Sequence, residues 1–314
     1  MKRSCPPSQN TVVRSPVVDL VLLILKGVLP VNTVEARRIA AANLSQLVET
    51  LECGQSQAMK EFLAAMGRFH RYSPSNVWLI LSQCPQATRV AGFQTWKEFG
   101  RYVKRGAKGI VILAPMFFRH QHKEETEDSS DDNSLVMRFR TVHVFDVSQT
   151  EGDPLPEPTQ VTGDPGAYHD RLKSFVSAQD IELVYADNLG SANGMSSGGR
   201  ITLRIGLSAA EEFAVLVHEL AHELLHRGEK HRLQTKKVRE SEAEAVAFVV
   251  ASSIGLETGT AASDYIQLYG GDKATLAASL ERIQQTAALI IGALDKAPES
   301  AVGTMPATSD AISR

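Results

Sequence analysis

Apolar residues recur at helical spacing along much of this chain. Thr33 to Glu52 reads as a helix with Thr33 as its N-cap. Gln55 to His70 reads as a second helix, with Ala58, Met59, Phe62, Leu63 and Met66 on its apolar face. Ser73-Pro74 opens a third: a cap, then proline in the first turn. That helix carries Val77, Trp78, Leu79 and Leu81 and stops before Pro85. A short helix is expected from Thr95 to Val103, then a basic glycine turn from Lys104 to Gly109. Ile110 to Leu113 is a strand that Pro115 should end, and Phe139 to Val147 is a second strand. Between them, Lys123 to Asn133 holds six carboxylates and no apolar residue, the pattern of a solvated loop.

Ser148 to Pro165 is rich in Pro, Gly, Thr and acids and reads as a linker. Beyond it come a helix (Gly166 to Gln179), a strand (Ile181 to Tyr185), a turn (Ser196 to Gly199) and a strand (Arg200 to Ile205). The last strand is expected at a sheet edge, where an extended peptide can add by strand pairing. Leu207 to His226 is apolar on nearly every side and so predicts a buried helix. Lys236 to Ile254 and Asp272 to Asp295 are further helices. The pattern predicts an α+β protein with a leader (1–32), a helix-rich front domain with a small sheet (33–147), a linker (148–165), a back domain (166–296) and a disordered tail (297–314).

Inside the buried helix stands His218-Glu219-Leu220-Ala221-His222, an HExxH motif. Residues four apart share a helix face, so both imidazoles can reach one ion, and Glu219 can reach a water beside it. Scattered His and Glu on a surface helix would look similar. The apolar flanks argue against that reading, because buried polar groups need partners or a metal. A third ligand is expected on the next helix, where Glu240, Glu242 and Glu244 border an apolar run. His226 lies about 12 Å along the axis from His218 and cannot share its ion; it suits a helix C-terminus instead.

Net charge is −3, but it is unevenly spread. Between Thr33 and Gln121 twelve Lys/Arg face five acids, which points to an anionic partner. Bases and rings interleave from His70 to Lys108, as single-stranded nucleic acid requires: cations for phosphates, flat rings for unstacked bases. The candidate contacts are Arg71, Arg89, Trp96, Lys97, Arg101, Lys104, Arg105 and Lys108. Most of these rings would serve a core equally well, Trp78 above all, and a basic surface also suits an acidic protein. Three cysteines without CxxC spacing predict no disulfide framework and fit a reducing cytoplasm. The run Val17 to Leu29 is too short to span a bilayer and is broken by Asp19 and Lys26, so no membrane partner is expected.

Tyr72-Ser73-Pro74-Ser75-Asn76, Pro85 to Gly92, Trp96, Gly100-Arg101 and Val103 to Ile110 resemble the N-terminal domain of ArdC-type antirestriction proteins. That domain is a single-stranded DNA-binding module of mobile elements; Ala107 stands where its pattern has an acid. The back half resembles the metallopeptidase domain fused to that module, and the ImmA/IrrE group of regulatory metallopeptidases, through HExxH and Glu242-Ala243-Glu244-Ala245. The resemblance implies a zincin-like fold, Zn2+ held by His218, His222 and Glu242, Glu219 as the base, and a protein substrate of unknown identity. Val246 departs from the polar residue usual after the signature. His231 is a candidate second oxyanion donor. Two rival functions stand beside this one. One is a non-catalytic single-stranded DNA shield with a structural or degenerate zinc site. The other is a regulatory metallopeptidase whose basic domain recruits a protein.

Overall fold

A computed structural model describes residues 32–53, 57–119, 135–155, 163–227, 234–256 and 273–296. The front half runs α1 (Thr33–Glu52), α2 (Gln57–Arg68), α3 (Pro74–Gln83), β1 (Val90–Gly92), α4 (Phe93–Glu98), β2 (Arg101–Val103), β3 (Ile110–Arg119), β4 (Leu135–Asp146) and β5 (Thr150–Gly152). The back half runs α5 (Ala167–Ala178), β6 (Glu182–Ala186), β7 (Gly194–Ser196), β8 (Arg200–Arg204), α6 (Ala209–His226), α7 (Lys236–Ser253) and α8 (Lys273–Leu294). Strands β1, β4 and β3 form an antiparallel sheet in that order, and β2 pairs with β5. A mixed sheet has the order β6-β8-β7. The architecture is α+β. The leader 1–31, the acidic loop 123–133, His231 and the tail 297–314 lie outside the described residues.

Local departures from the expected elements have physical causes. Asn32, not Thr33, caps α1, its side chain accepting from the Glu35 amide at 2.9 Å. The helix expected to reach Val103 stops at Glu98, because Gly100 takes φ +70° and turns the chain into β2. Pro115 does not end β3. Val111 and Leu113 point their amide N–H groups and carbonyls away from β4, where Gln83 and Asn76 of α3 bind them at 2.9 Å. Pro115 shares their parity on an edge strand, so its missing N–H costs no ladder bond. The two amide side chains cover an edge that would otherwise be free to aggregate.

The halves expected as separate domains share one core. Met59, Phe62 and Met66 of α2 belong to the same buried cluster as Val246, Val249 and Val250 of α7 and Ile283 and Ala287 of α8. A Cβ on Gly67 would sit 2.7 Å from the Val249 carbonyl oxygen, so glycine permits the close approach of α2 to α7. Gln284 of α8 donates to the His70 carbonyl at 2.9 Å just past the end of α2. The expected linker also begins later than 148, since β5 belongs to the front half. Cys84 is a free thiol. No helix among the described residues is long and apolar enough to cross a membrane.

Asp146 ties this half together. Its buried carboxylate accepts from the amides of Thr88 (2.8 Å), Arg89 (3.1 Å) and Ser148 (3.0 Å), and from the Ser148 hydroxyl (2.6 Å). Burial resists the charge, but the hydrogen bonds, led by Ser148, outweigh it and hold the group below the ordinary carboxylate range. A depressed acid contributes stability above its unfolded pKa of about 4 and loses it as pH falls through the folded value. Asp146→Ala should therefore lower stability by about 3 kcal/mol at pH 7 in urea denaturation. Asp146→Asn should flatten the acid limb of the stability–pH curve below about pH 4.

Candidate metal centre and basic face

Helix α6 is set by a capping box at Ser208 and Glu211 and anchored by buried Phe213, Leu216, Val217, Leu220 and Ala221. On the face toward α7, His218 and His222 bring their Nε2 atoms to 3.1 Å. Glu240 of α7 completes the group: its Oε2 lies 3.6 Å from His218 Nε2 and 3.4 Å from His222 Nε2. One ligand atom from each of the three lies within 4.8 Å of the others. Two imidazoles and a carboxylate, with the carboxylate 49% exposed, make a donor set open to solvent on one side.

Glu242, the ligand that the resemblance implied, is not brought to this pair. Residues two apart on a helix point roughly 200° from each other, so Glu240 and Glu242 cannot serve one site. Glu242 is 0% exposed; its Oε2 lies 3.0 Å from His226 Nε2, and its Oε1 accepts from the Ser279 hydroxyl (2.6 Å) and the Arg282 guanidinium. Arg282 already supplies its counter-charge. Glu244 shares the face of Glu240 but meets the other nitrogen of His218, Nδ1, at 3.4 Å. His226 stands in the last turn of α6, as expected, and its Nδ1 lies 3.2 Å from His222 Nδ1.

The carboxylates draw positive charge to this spot. Burial opposes protonation of His218, yet Glu240 and Glu244 outweigh it and raise its pKa to about 9. Burial and the neighbouring His218 charge push His222 down to about 4. The bond from His218 holds Glu240 at about 2, against the cost of its own burial. Glu219 lies on the sheet side of the helix. Burial raises its pKa, while the His218 charge and hydrogen bonds from the Ser196 amide and hydroxyl pull the other way.

Strand β7 was not foreseen, and the strand expected at the edge, β8, is central: it pairs with both β6 and β7. Among the described residues, the free edge beside α6 belongs to β7. Gly194 allows it to lie there, since a Cβ would come within 2.5 Å of Val215 Cγ1 and 2.8 Å of Glu219 Cγ. Glu223, also missed, accepts from the amides of Gly198 (2.8 Å) and Gly199 (2.7 Å) and clamps the β7–β8 turn to the helix. An acid one turn after Glu219, with Gly-Gly upstream, was the only signal for that clamp.

The basic face also differs from expectation. Trp96 is 2% exposed and donates from Nε1 to the Phe145 carbonyl at 2.9 Å, so it is core and cannot stack on a base. Arg101 spends its guanidinium on Thr150 Oγ1 (2.8 Å) and on the carbonyls of Thr150, Gly152 and Asp153, holding β2 to β5. Lys104 reaches the Ser148 carbonyl at 2.9 Å. Arg71, Lys97, Arg105 and Lys108 are exposed, and Arg89 is half-buried. The exposed rings are Phe93, Phe99 and Tyr102, at 50%, 55% and 57%, with the Lys97 ammonium 5.5 Å above Phe93.

Residues 37–145 match the family model described as the N-terminal domain of anti-restriction factor ArdC. An uncharacterized protein of Bacillus anthracis, pXO2-81, is 27% identical over 284 residues, covering 76% of this chain and 48% of that protein. The chain thus spans about half the length of the curated relative it matches. Crystal structures of the antirestriction ArdC protein from plasmid R388, metal-free and Mn(II)-bound, are similar with TM-scores of 0.49 and 0.47 at 16% identity. They cover 82% of this chain and 97% and 98% of those chains.

The two kinds of ring separate by stability. Trp96→Ala should cost about 3–5 kcal/mol in equilibrium denaturation, whereas Tyr102→Ala should leave the midpoint nearly unchanged.

Proposed function

We propose that this chain is an antirestriction protein of the ArdC type that binds single-stranded DNA through its front half and hydrolyses peptide bonds at a zinc site in its back half. The observation that carries the hydrolytic reading is the convergence of His218, His222 and Glu240 beside Glu219. A set of two imidazoles and one carboxylate with an open side suits Zn2+ in a catalytic rather than a structural role. When bound, the cation would supply Lewis acidity toward water and a peptide carbonyl.

The protein's own residues do the remaining work. Glu219, its proton affinity raised by burial, takes a proton from the attacking water and returns it to the leaving nitrogen. Strand β7, whose outer edge is unpaired among the described residues, offers it to an extended peptide beside that carboxylate. On the front half, Phe93, Phe99 and Tyr102 give flat faces to unstacked bases, and Arg71, Lys97, Arg105 and Lys108 reach phosphates. The zincin-like assignment of the back half belongs to the same proposal, as does the identification of its substrate as a protein.

Two measurements test it. Calorimetric titration of chelator-stripped protein should show one Zn2+ per chain, lost in Glu240→Ala. Glu219→Gln should keep the metal and lose at least about 100-fold in cleavage of a quenched-fluorescent peptide library. Wild-type zinc affinity in Glu240→Ala would sink the site. Full DNA protection by Glu219→Gln would return the protein to a non-catalytic shield. Anisotropy with a labelled oligothymidine should show weaker binding for Phe99→Ala and Tyr102→Ala. The log–log salt slope should fall by about 0.7 for each phosphate-contacting Lys or Arg removed. A salt-independent affinity would favour a protein partner for this face.

A further inference from the structure

We infer that Glu223 is a positioning residue for the peptide-binding edge: it fixes where strand β7 lies against α6, and so where an added peptide meets Glu219. The inference rests on the peptidase reading proposed above.

Glu223 is buried and spends both carboxylate oxygens on one turn. Oε1 accepts from the Gly198 amide at 2.8 Å, and Oε2 accepts from the Gly199 amide at 2.7 Å. Successive backbone N–H groups of a turn form a concavity that takes an anion, and bonds to a charged acceptor are stronger than neutral ones. Here the anion is a side chain of α6. Gly198 and Gly199 hold φ at +72° and +94°, a conformation that glycine takes at no steric cost.

Strand β7 is only three residues long, Gly194–Ser196, and among the described residues it pairs with β8 alone. The Ser197 amide donates to the Arg200 carbonyl, and the Arg204 amide donates to the Asn193 carbonyl, each at 2.9 Å. Asn193 and Ser197 thus turn their backbone groups toward β8. By the alternation of a strand, Gly194 and Ser196 turn theirs to the outer edge. Glu219 and Glu223 lie one turn apart on the same face of α6. The clamp at Gly198 and Gly199 therefore holds the strand at the spacing that Glu219 meets. That spacing is close: a Cβ on Gly194 would sit 2.9 Å from Glu219 Oε1. A peptide paired with this edge takes its position from the strand, and an error of about 1 Å at a reacting bond can cost about 100-fold in rate.

Two substrates of the zinc-loaded full chain test this. One is a quenched-fluorescent decapeptide, long enough to pair with β7; the other is its blocked dipeptide core, which is too short. Glu223→Gln keeps the shape but offers one acceptor oxygen and sets an NH2 group against the second amide. The ratio of kcat/KM for the decapeptide to kcat/KM for the dipeptide should fall about 10-fold, chiefly through KM. Amide hydrogen exchange at Gly198 and Gly199 should speed up by at least about 10-fold. Gly198→Ala strains the same turn from the strand side without altering α6 and should lower the ratio in the same direction. It carries the test where Glu223→Gln does not fold. A merely structural role would lower both substrates alike and leave the ratio at its wild-type value, which overturns the inference. Unchanged exchange at the two glycines overturns it as well. Absence of Glu219-dependent cleavage of either substrate by the wild type removes the peptidase reading, and the inference with it. Glu219-dependent cleavage with an unmoved ratio removes the positioning role alone.

Discussion

A carboxylate leaves water only if hydrogen-bond donors go with it, and the buried acids of this protein organise the structure around that constraint. Asp146 collects three amides and a hydroxyl and thereby closes the loop before β1 against the end of β4. Glu223 takes two glycine amides and fastens the β7–β8 turn to α6. Glu242 takes a guanidinium, a hydroxyl and an imidazole and joins three helices. Each satisfied acid fixes the geometry of a segment. Glu219 and Glu240 differ in kind: one has its proton affinity raised by burial, and the other is half-exposed beside two imidazoles.

Much of this was legible in the order of residues. The HExxH spacing, the apolar flanks of α6 and the three acids on the next helix pointed to α6 and α7, the two helices that bring His218, His222 and Glu240 together. The choice among the three acids was not legible. It depends on Ser279 and Arg282, which lie some forty residues downstream and reach Glu242 only when α8 packs against α7. The resemblance favoured Glu242; the packing gives that residue other partners and leaves Glu240 at the open side. A motif names residue types at a spacing, while the third dimension decides which one points where.

The front half shows the same division. Its net positive charge and interleaved rings were visible along the chain, but Trp96 and Phe99, three residues apart, are opposite in environment. Local alternation could not separate them, because α4 is too short to show a helical period and β2 follows at once. Pro115 misled for a related reason. A proline ends a strand when its neighbours need its N–H, and that need depends on which edge the strand occupies.

The close contact of α2 with α7 carries a consequence for how such a protein can change over generations. The side of α7 opposite Glu240 and Glu244 is bedded against a helix of the front half at a glycine that admits no side chain. Replacing only the front half would strip α7 of its backing and expose a valine-rich surface. The two halves are therefore coupled in packing, and a change on one side of that seam calls for a matching change on the other.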